Sequence, residues 1–493
     1  MSHYKIKKYK TNLLNEREII MNTFVTAIST QESRTANGMK ALSSTGNACV
    51  SLFFAIGASR GKNIIPQFTA AFVENSDLAL RIVAWARDIR GGAGEREIFR
   101  QVLTHLETAN PDAAKALMDK VPELGRFDDL LVFKTKQMKS KAYTLLGDYL
   151  RAGNQLAGKW TPRKGPIAAE IREFFGMSPK QYRKTLVGLT NVVESQMCVQ
   201  KWDEINYSHV PSVAHSRYKK AFGKHSTTYA EYITKLVKGD DPTVKINAAA
   251  IFPHDVLKGR INTYGKTEWD KQELDVIEAQ WAALPNYVGD ASVLPLVDVS
   301  GSMICIAGQK GTTTCLEVAV SLGLYFADKN KGAFKDCMLT FSDESKLVQL
   351  KGNINQKINQ MVETEWEMST NLHGAFEAIL NNAVKNSVPA GDMPETLIIF
   401  SDMQFNACVK HDDSALEMIE RKYEEAGYVS PKIVFWNLNA GSNVPVKFDK
   451  SGAALVSGFS PAVASAILSG NMDDFTPEAI MLKAVMQDRY SID

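Results

Sequence analysis

The spacing of apolar residues changes once along this chain, near Pro285, and no single architecture accommodates both halves. Before that point they recur at three and four residues, the period of a helix buried along one face. Ser76-Asp77 can cap a segment that continues through Leu78, Leu80, Ile82, Val83, Trp85 and Ala86. Gly91-Gly92-Ala93-Gly94 ends it, Glu95 to Thr108 supplies a second amphipathic stretch, and Asn110-Pro111-Asp112 opens a third. Shorter helices are expected near 127–134, 140–152, 167–176, 179–198 and 227–238. Such pieces joined by short turns predict stacked helical hairpins, a HEAT-like solenoid or ring.

After Pro285, short apolar runs at 292–298, 336–342, 346–350, 396–401, 432–436 and 454–456 alternate with amphipathic stretches at 313–328, 372–384, 414–426 and 461–468. That alternation predicts a doubly wound, Rossmann-like parallel sheet, in which ligands bind at the carboxyl ends of strands. The expected division is a basic arm over 1–20, a helical domain over 21–285 and an α/β domain over 286–493.

Composition removes several alternatives. With 493 residues, 45% hydrophobic and 23% charged, the chain is globular and long enough for two or three domains. It contains no apolar run long enough to span a membrane. Four lysines in the first ten residues are not followed by an apolar segment, so no secretory signal is expected. Six scattered cysteines form no C-x-x-C pair, which fits free thiols in a reducing cytoplasm. The net charge of +2 hides an asymmetry: residues 1–285 hold 41 Lys and Arg against 29 Asp and Glu, the remainder 16 against 26. Lys134 to Lys224 alone holds 17 basic and 6 acidic residues. This segment is either a surface for a polyanion or a solvated helix face.

Asp298, Ser300 and Ser302 sit at alternate positions directly after an apolar strand. Three short oxygen ligands on one tight loop suit a hard divalent cation; the same residues could also serve as strand-end caps. Thr370 precedes a helix, and Asp402 ends another strand. In order, Asp298, Ser300, Ser302, Thr370 and Asp402 resemble the metal-ion-dependent adhesion site of the von Willebrand factor A domain. The resemblance implies Mg²⁺ held directly by the two serines and the threonine, with Asp402 acting through water. It leaves one position open for an acidic residue of a protein partner. No base accompanies the serines, and no enzymatic activity is expected.

Other motifs are weaker. Gly57 to Lys62 is one residue short of a phosphate-binding loop and continues with Asn63. Arg90 and Arg96 flank the glycine turn and could hold a phosphate, or the turn could simply join two helices. Lys159-Trp160 with Arg163 and Lys164, Tyr182 with Arg183 and Lys184, and Arg217-Tyr218 with Lys219 and Lys220 mix cations with aromatic rings. That mixture suits phosphates and unpaired bases, although each ring could instead pack the core.

Taken whole, a basic helical half followed by an A domain resembles the TROVE family of Ro-autoantigen-like proteins, and most closely an uncharacterised TROVE-like branch. The stretches that carry the resemblance include Arg87 to Arg96, Lys159 to Pro162, Lys201 to Ile205, Pro253 to Asp255, Asp298 to Met303, Ser401 to Phe405 and Val434 to Leu438. The family implies a ring of helical repeats closed by the A domain. It also implies RNA as partner, either single-stranded ends or small structured RNAs.

Overall fold

The computed structural model describes residues 32–190, 192–261, 268–308, 311–340, 345, 347–363, 371–405, 415–441, 443–468 and 475–492. The expected arm over 1–20 lies outside them. Helices Ala48–Ile56, Ile65–Glu74, Ser76–Arg87, Arg96–Ala109 and Pro111–Asp119 each pack on the next. Asparagines set three of their starts: the side chains of Asn47, Asn75 and Asn110 accept from the N–H groups of Val50, Leu78 and Ala113. These caps satisfy donors that a helix start otherwise leaves open. The cap of the third helix is therefore Asn75, one residue before the expected Ser76.

The structure departs from the expected elements in three places. A hairpin of β1 (Glu32–Arg34) and β2 (Lys40–Leu42) interrupts the helical half. The short helix expected near 127–134 is a 3₁₀ helix over Phe127–Val132. The stretch 179–198 is two helices, Pro179–Leu189 and Val193–Cys198, because Thr190 takes extended backbone and its hydroxyl donates to the Leu186 carbonyl at 2.5 Å. In the glycine turn only Gly94 has positive φ; Gly92 is required instead because a Cβ there would lie 1.8 Å from the Trp85 carbonyl oxygen.

The second half holds a six-stranded sheet of β3 (Val293–Val297), β4 (Cys337–Thr340), β5 (Leu347–Gln349), β6 (Thr396–Ser401), β7 (Lys432–Asn437) and β8 (Ala453–Ser457). Its spatial order is β5-β4-β3-β6-β7-β8, all parallel except β5. The parallel strands β3, β4, β6 and β8 are buried throughout, as continuous apolar runs under helices on both faces must be.

The helical half leaves this sheet and returns to it. Helix Ala48–Ile56 packs on β8, while helix Pro253–Val256 packs on Cys315–Lys329. Near the junction, Trp281 Nε1 donates to Asp328 at 3.1 Å and the Tyr325 hydroxyl donates to the Pro285 carbonyl at 2.5 Å. The fold is thus a run of helices closed into a ring by a Rossmann-like domain. One continuous hydrophobic core, reaching from Met39 to Tyr490, crosses the junction. A smaller core around Tyr207, Phe222 and Tyr229 lies under helices Ser212–His225 and Thr227–Lys238.

At the start of the ring the backbones come too close for a side chain. A Cβ on Gly57 would meet the Ser457 carbonyl oxygen at 2.4 Å. Gly57→Ala is therefore expected to cost about 1–3 kcal/mol by forcing helix Ala48–Ile56 away from β8. Thermal unfolding checks this; an unchanged midpoint would show that the junction yields without cost.

Candidate metal centre and cationic groove

β3 and β6 are neighbours whose flanking strands run off in opposite directions, so the sheet's topological switch lies between them. Their register pairs Val297 with Phe400, which places Asp298 and Ser401 side by side at the carboxyl ends. The Ser401 hydroxyl donates to Asp298 Oδ2 at 2.6 Å, and the Ser300 N–H donates to Asp298 Oδ1 at 2.9 Å. The Ser300 and Ser302 hydroxyl oxygens are 3.0 Å apart, and the Ser302 hydroxyl also bonds the Asp402 side chain. Four of the five expected metal residues therefore converge; Thr370 lies outside the described residues. Met403, directly after Asp402, is held at φ +64, an unusual conformation for a residue with a side chain.

The donor set fits a cation. Asp298 is fully buried and Asp402 is 4% exposed, yet among the described residues neither forms an ion pair. Burial pushes the Asp298 carboxyl up to about 6; the neighbouring Asp402 adds to that, against the bond from Ser401. Burial raises Asp402 as well. Two desolvated carboxylates without a counter-charge are costly, and a divalent ion between them would remove that cost. Ser302 is exposed, so the loop opens to solvent on its side.

The helical half grips the rim of this centre. The Thr35 hydroxyl donates to the Phe405 carbonyl at 2.5 Å, and Asn37 Nδ2 donates to the Gln404 carbonyl at 2.7 Å. Lys62 Nζ donates to Asn439 Oδ1 at 2.7 Å and to the Ala440 carbonyl. These contacts are not legible from spacing, since the partners lie hundreds of residues apart. The nearest signal for Ser401 was its place between an apolar strand and Asp402.

The basic segment gives a second site. Helices Pro166–Phe174 and Pro179–Leu189, with the turn before them, enclose a groove of about 640 Å³ lined by Arg163, Lys164, Arg172, Lys180 and Arg183. No carboxylate lines it, and among the described residues none of the five cations forms an ion pair. Its floor is Ala168, Ala169 and Leu186. Three of these cations belong to the sequence-derived set; Arg172 was missed because it stands apart from the basic clusters, with Ile171 and Glu173 on either side.

Residues 292–489 match the family described as Domain of unknown function (DUF7788), and residues 35–124 and 149–294 match Domain of unknown function (DUF2828). "Uncharacterized protein L728" of Acanthamoeba polyphaga mimivirus is 30% identical over 514 residues, spanning 91% of this chain and 86% of the viral one. The chain belongs to the family of that viral protein. The crystal structure of the Deinococcus radiodurans RO (RSR) protein is similar with a TM-score of 0.47 and 15% identity, covering 85% of this chain and 93% of that one. A likeness at that level carries nothing across about ligands.

Within the DUF2828 part the remaining cations are dispersed. Arg90 is exposed, but its N–H and that of Gly91 already donate to Asp88 at 3.0 and 3.1 Å, so the turn's amides are occupied. Arg96 is exposed close to Arg100 and Arg126. Lys159 lies 3.5 Å from Glu194, and Lys219 lies 3.7 Å from Glu273. Lys184, Arg217 and Lys220 are exposed outside the groove. The three aromatic residues are engaged: Tyr182 is buried with its hydroxyl on the Pro162 carbonyl, Tyr218 reaches Glu194, and Arg126 covers the Trp160 ring at 3.6 Å.

Helix Ser212–His225 also carries a buried histidine. Burial depresses His215 to about 4, with Lys219 adding to the effect; its Nε2 lies 3.4 Å from the Tyr229 hydroxyl. Between pH 6.5 and 4 the unfolded chain takes up a proton that the folded one refuses, so stability falls as pH falls, by roughly 3 kcal/mol at most. His215→Leu should flatten the decline of the unfolding midpoint between pH 7 and pH 5. An identical decline in both proteins would show that His215 is not its source.

Proposed function

We propose that this chain is a non-catalytic RNA-binding protein whose helical half holds the sugar–phosphate backbone. One observation carries the reading: five cations around a single groove that no carboxylate lines, and none of them in an ion pair among the described residues. Phosphate oxygens are the ligands such a surface lacks, and a flexible single strand can follow it. The A-domain half has 16 basic against 26 acidic residues and repels the same ligand, which confines it to the helical side. The resemblance to the TROVE family supports RNA as the polyanion. Arg163→Glu with Arg183→Glu, both at exposed positions, should weaken binding of a single-stranded 20-mer at least tenfold. The pair should also lower the slope of log affinity against log salt by about two, while leaving thermal stability intact. Equal binding by both proteins, or none by the wild type at low salt, would overturn the reading.

A second reading concerns the metal centre, and its observation is the pair of buried carboxylates, without a counter-charge among the described residues, beside the exposed Ser302. Asp298, Ser300, Ser302 and Asp402, with Thr370 by resemblance, would hold Mg²⁺ or another divalent cation. A bound cation supplies an electrophilic position to an oxygen of an acidic residue on a protein partner. The residues that would hold it are themselves oriented: Ser401 fixes Asp298 through the 2.6 Å bond, and the Gln404 N–H fixes Asp402 through a bond of 3.2 Å. Mg²⁺ should raise the unfolding midpoint of the wild type and leave that of Asp298→Asn unchanged; calorimetric titration should show at least tenfold weaker binding to the variant. An equal response to Mg²⁺ in both proteins would place the cation elsewhere.

A further inference from the structure

The helix Pro179–Leu189 divides the cationic groove from a second cavity, and Tyr182 and Leu186 line both. This second cavity, of about 380 Å³, is lined chiefly by Phe174, Phe175, Met177, Leu150 and Thr185. We infer that it receives an unpaired base of the strand whose phosphates lie in the groove, an inference that rests on the RNA reading above.

The rings are arranged before any ligand arrives. Phe174 stands edge-on to Tyr143 and to Phe175, with ring centroids 5.6 Å apart in each pair. Phe175 approaches the neighbouring helix because position 147 is glycine: a Cβ there would lie 2.8 Å from the Phe175 ring. Fixed on two sides, Phe174 nevertheless remains 44% exposed, so an apolar face is offered to a planar ligand without rearrangement. Arg172, which lines the groove, precedes Phe174 by two residues on the same helix. A phosphate contact and a stacking face thus belong to one short segment.

The remaining chemistry favours a base over an aliphatic chain. The Thr185 hydroxyl has no hydrogen-bond partner among the described residues and lines the cavity, where it can pair with the polar edge of a base. Arg151 at the rim, side-chain partner of Asp148 at 2.5 Å, adds a planar cation. An acyl chain would use neither group, and an apolar peptide would gain nothing from five adjoining cations. The cavity supplies what the groove lacks, since the aromatic rings beside the basic clusters, Trp160, Tyr182 and Tyr218, are already engaged.

The test uses the full chain with two single-stranded 10-mers, oligouridylate and an abasic sugar–phosphate strand of the same length. Phe174→Ala is expected to weaken oligouridylate about tenfold, the loss of one stacked base, and to leave the abasic strand and the salt slope unchanged. Phe174→Trp, which keeps an aromatic face, should retain wild-type affinity. If Phe174→Ala binds oligouridylate as the wild type does, or weakens both strands equally, the base pocket is overturned. Salt-dependent wild-type binding that Arg163→Glu with Arg183→Glu weakens would still leave the groove reading standing. If that charge reversal weakens neither strand, the groove reading fails and the pocket falls with it.

Discussion

A single buried carboxylate ties the glycine turn of the helical half to the last described residues of the chain. Asp88 is fully buried and accepts from the Arg90 and Gly91 N–H groups, from the Tyr490 hydroxyl at 2.9 Å and from Arg489 at 2.8 Å. Every lone pair of such a group must be used if its burial is to be tolerated, and removing one partner leaves a desolvated charge. The turn that follows is shaped to allow this: a Cβ on Gly91 would press within 3.0 Å of both Asp88 Oδ2 and the Tyr490 hydroxyl oxygen. The stretch Arg87 to Arg96, whose arginines could hold a phosphate and whose glycines could equally just join two helices, clasps a carboxylate through its own backbone amides. The anion it holds is the protein's own.

That clasp and the contact of Gly57 with Ser457 explain why the two halves share one core. A helical solenoid ordinarily exposes two terminal faces. Here one is covered by β8 and the other by helix Cys315–Lys329. The loops that bound the candidate metal centre are held in turn by Thr35, Asn37 and Lys62 of the helical half. The groove is different in kind, built from two helices and a turn whose cations have no carboxylate partner among the described residues.

Much of this was legible in the sequence where the signal is local. Apolar periodicity gave the helices of residues 76–119 and every strand of the six-stranded sheet, because burial on one face or on both imprints directly on spacing. The strand ends bearing Asp298 and Asp402 followed from the same pattern, since a parallel sheet brings such ends together. What escaped depends on tertiary packing or on one side chain. The break at Thr190 turns on a hydroxyl that bonds back to Leu186. The role of Asp88 depends on residues four hundred positions away. The aromatic rings of the basic segment could not be divided between stacking and packing, because both uses select the same residue types.

The separation of Asp88 from Tyr490, 402 positions, also bears on the order in which the molecule can be completed. At about 5–20 residues per second, synthesis takes roughly 20–80 s to pass from one to the other. Throughout that interval the nascent helices have a carboxylate that lacks its two distant partners, and until residue 457 is made the first helix lacks the strand it covers. The helical half therefore emerges from the ribosome as an open arc whose apolar end faces are bare. Arrival of Arg489 and Tyr490 turns that arc into a closed circuit.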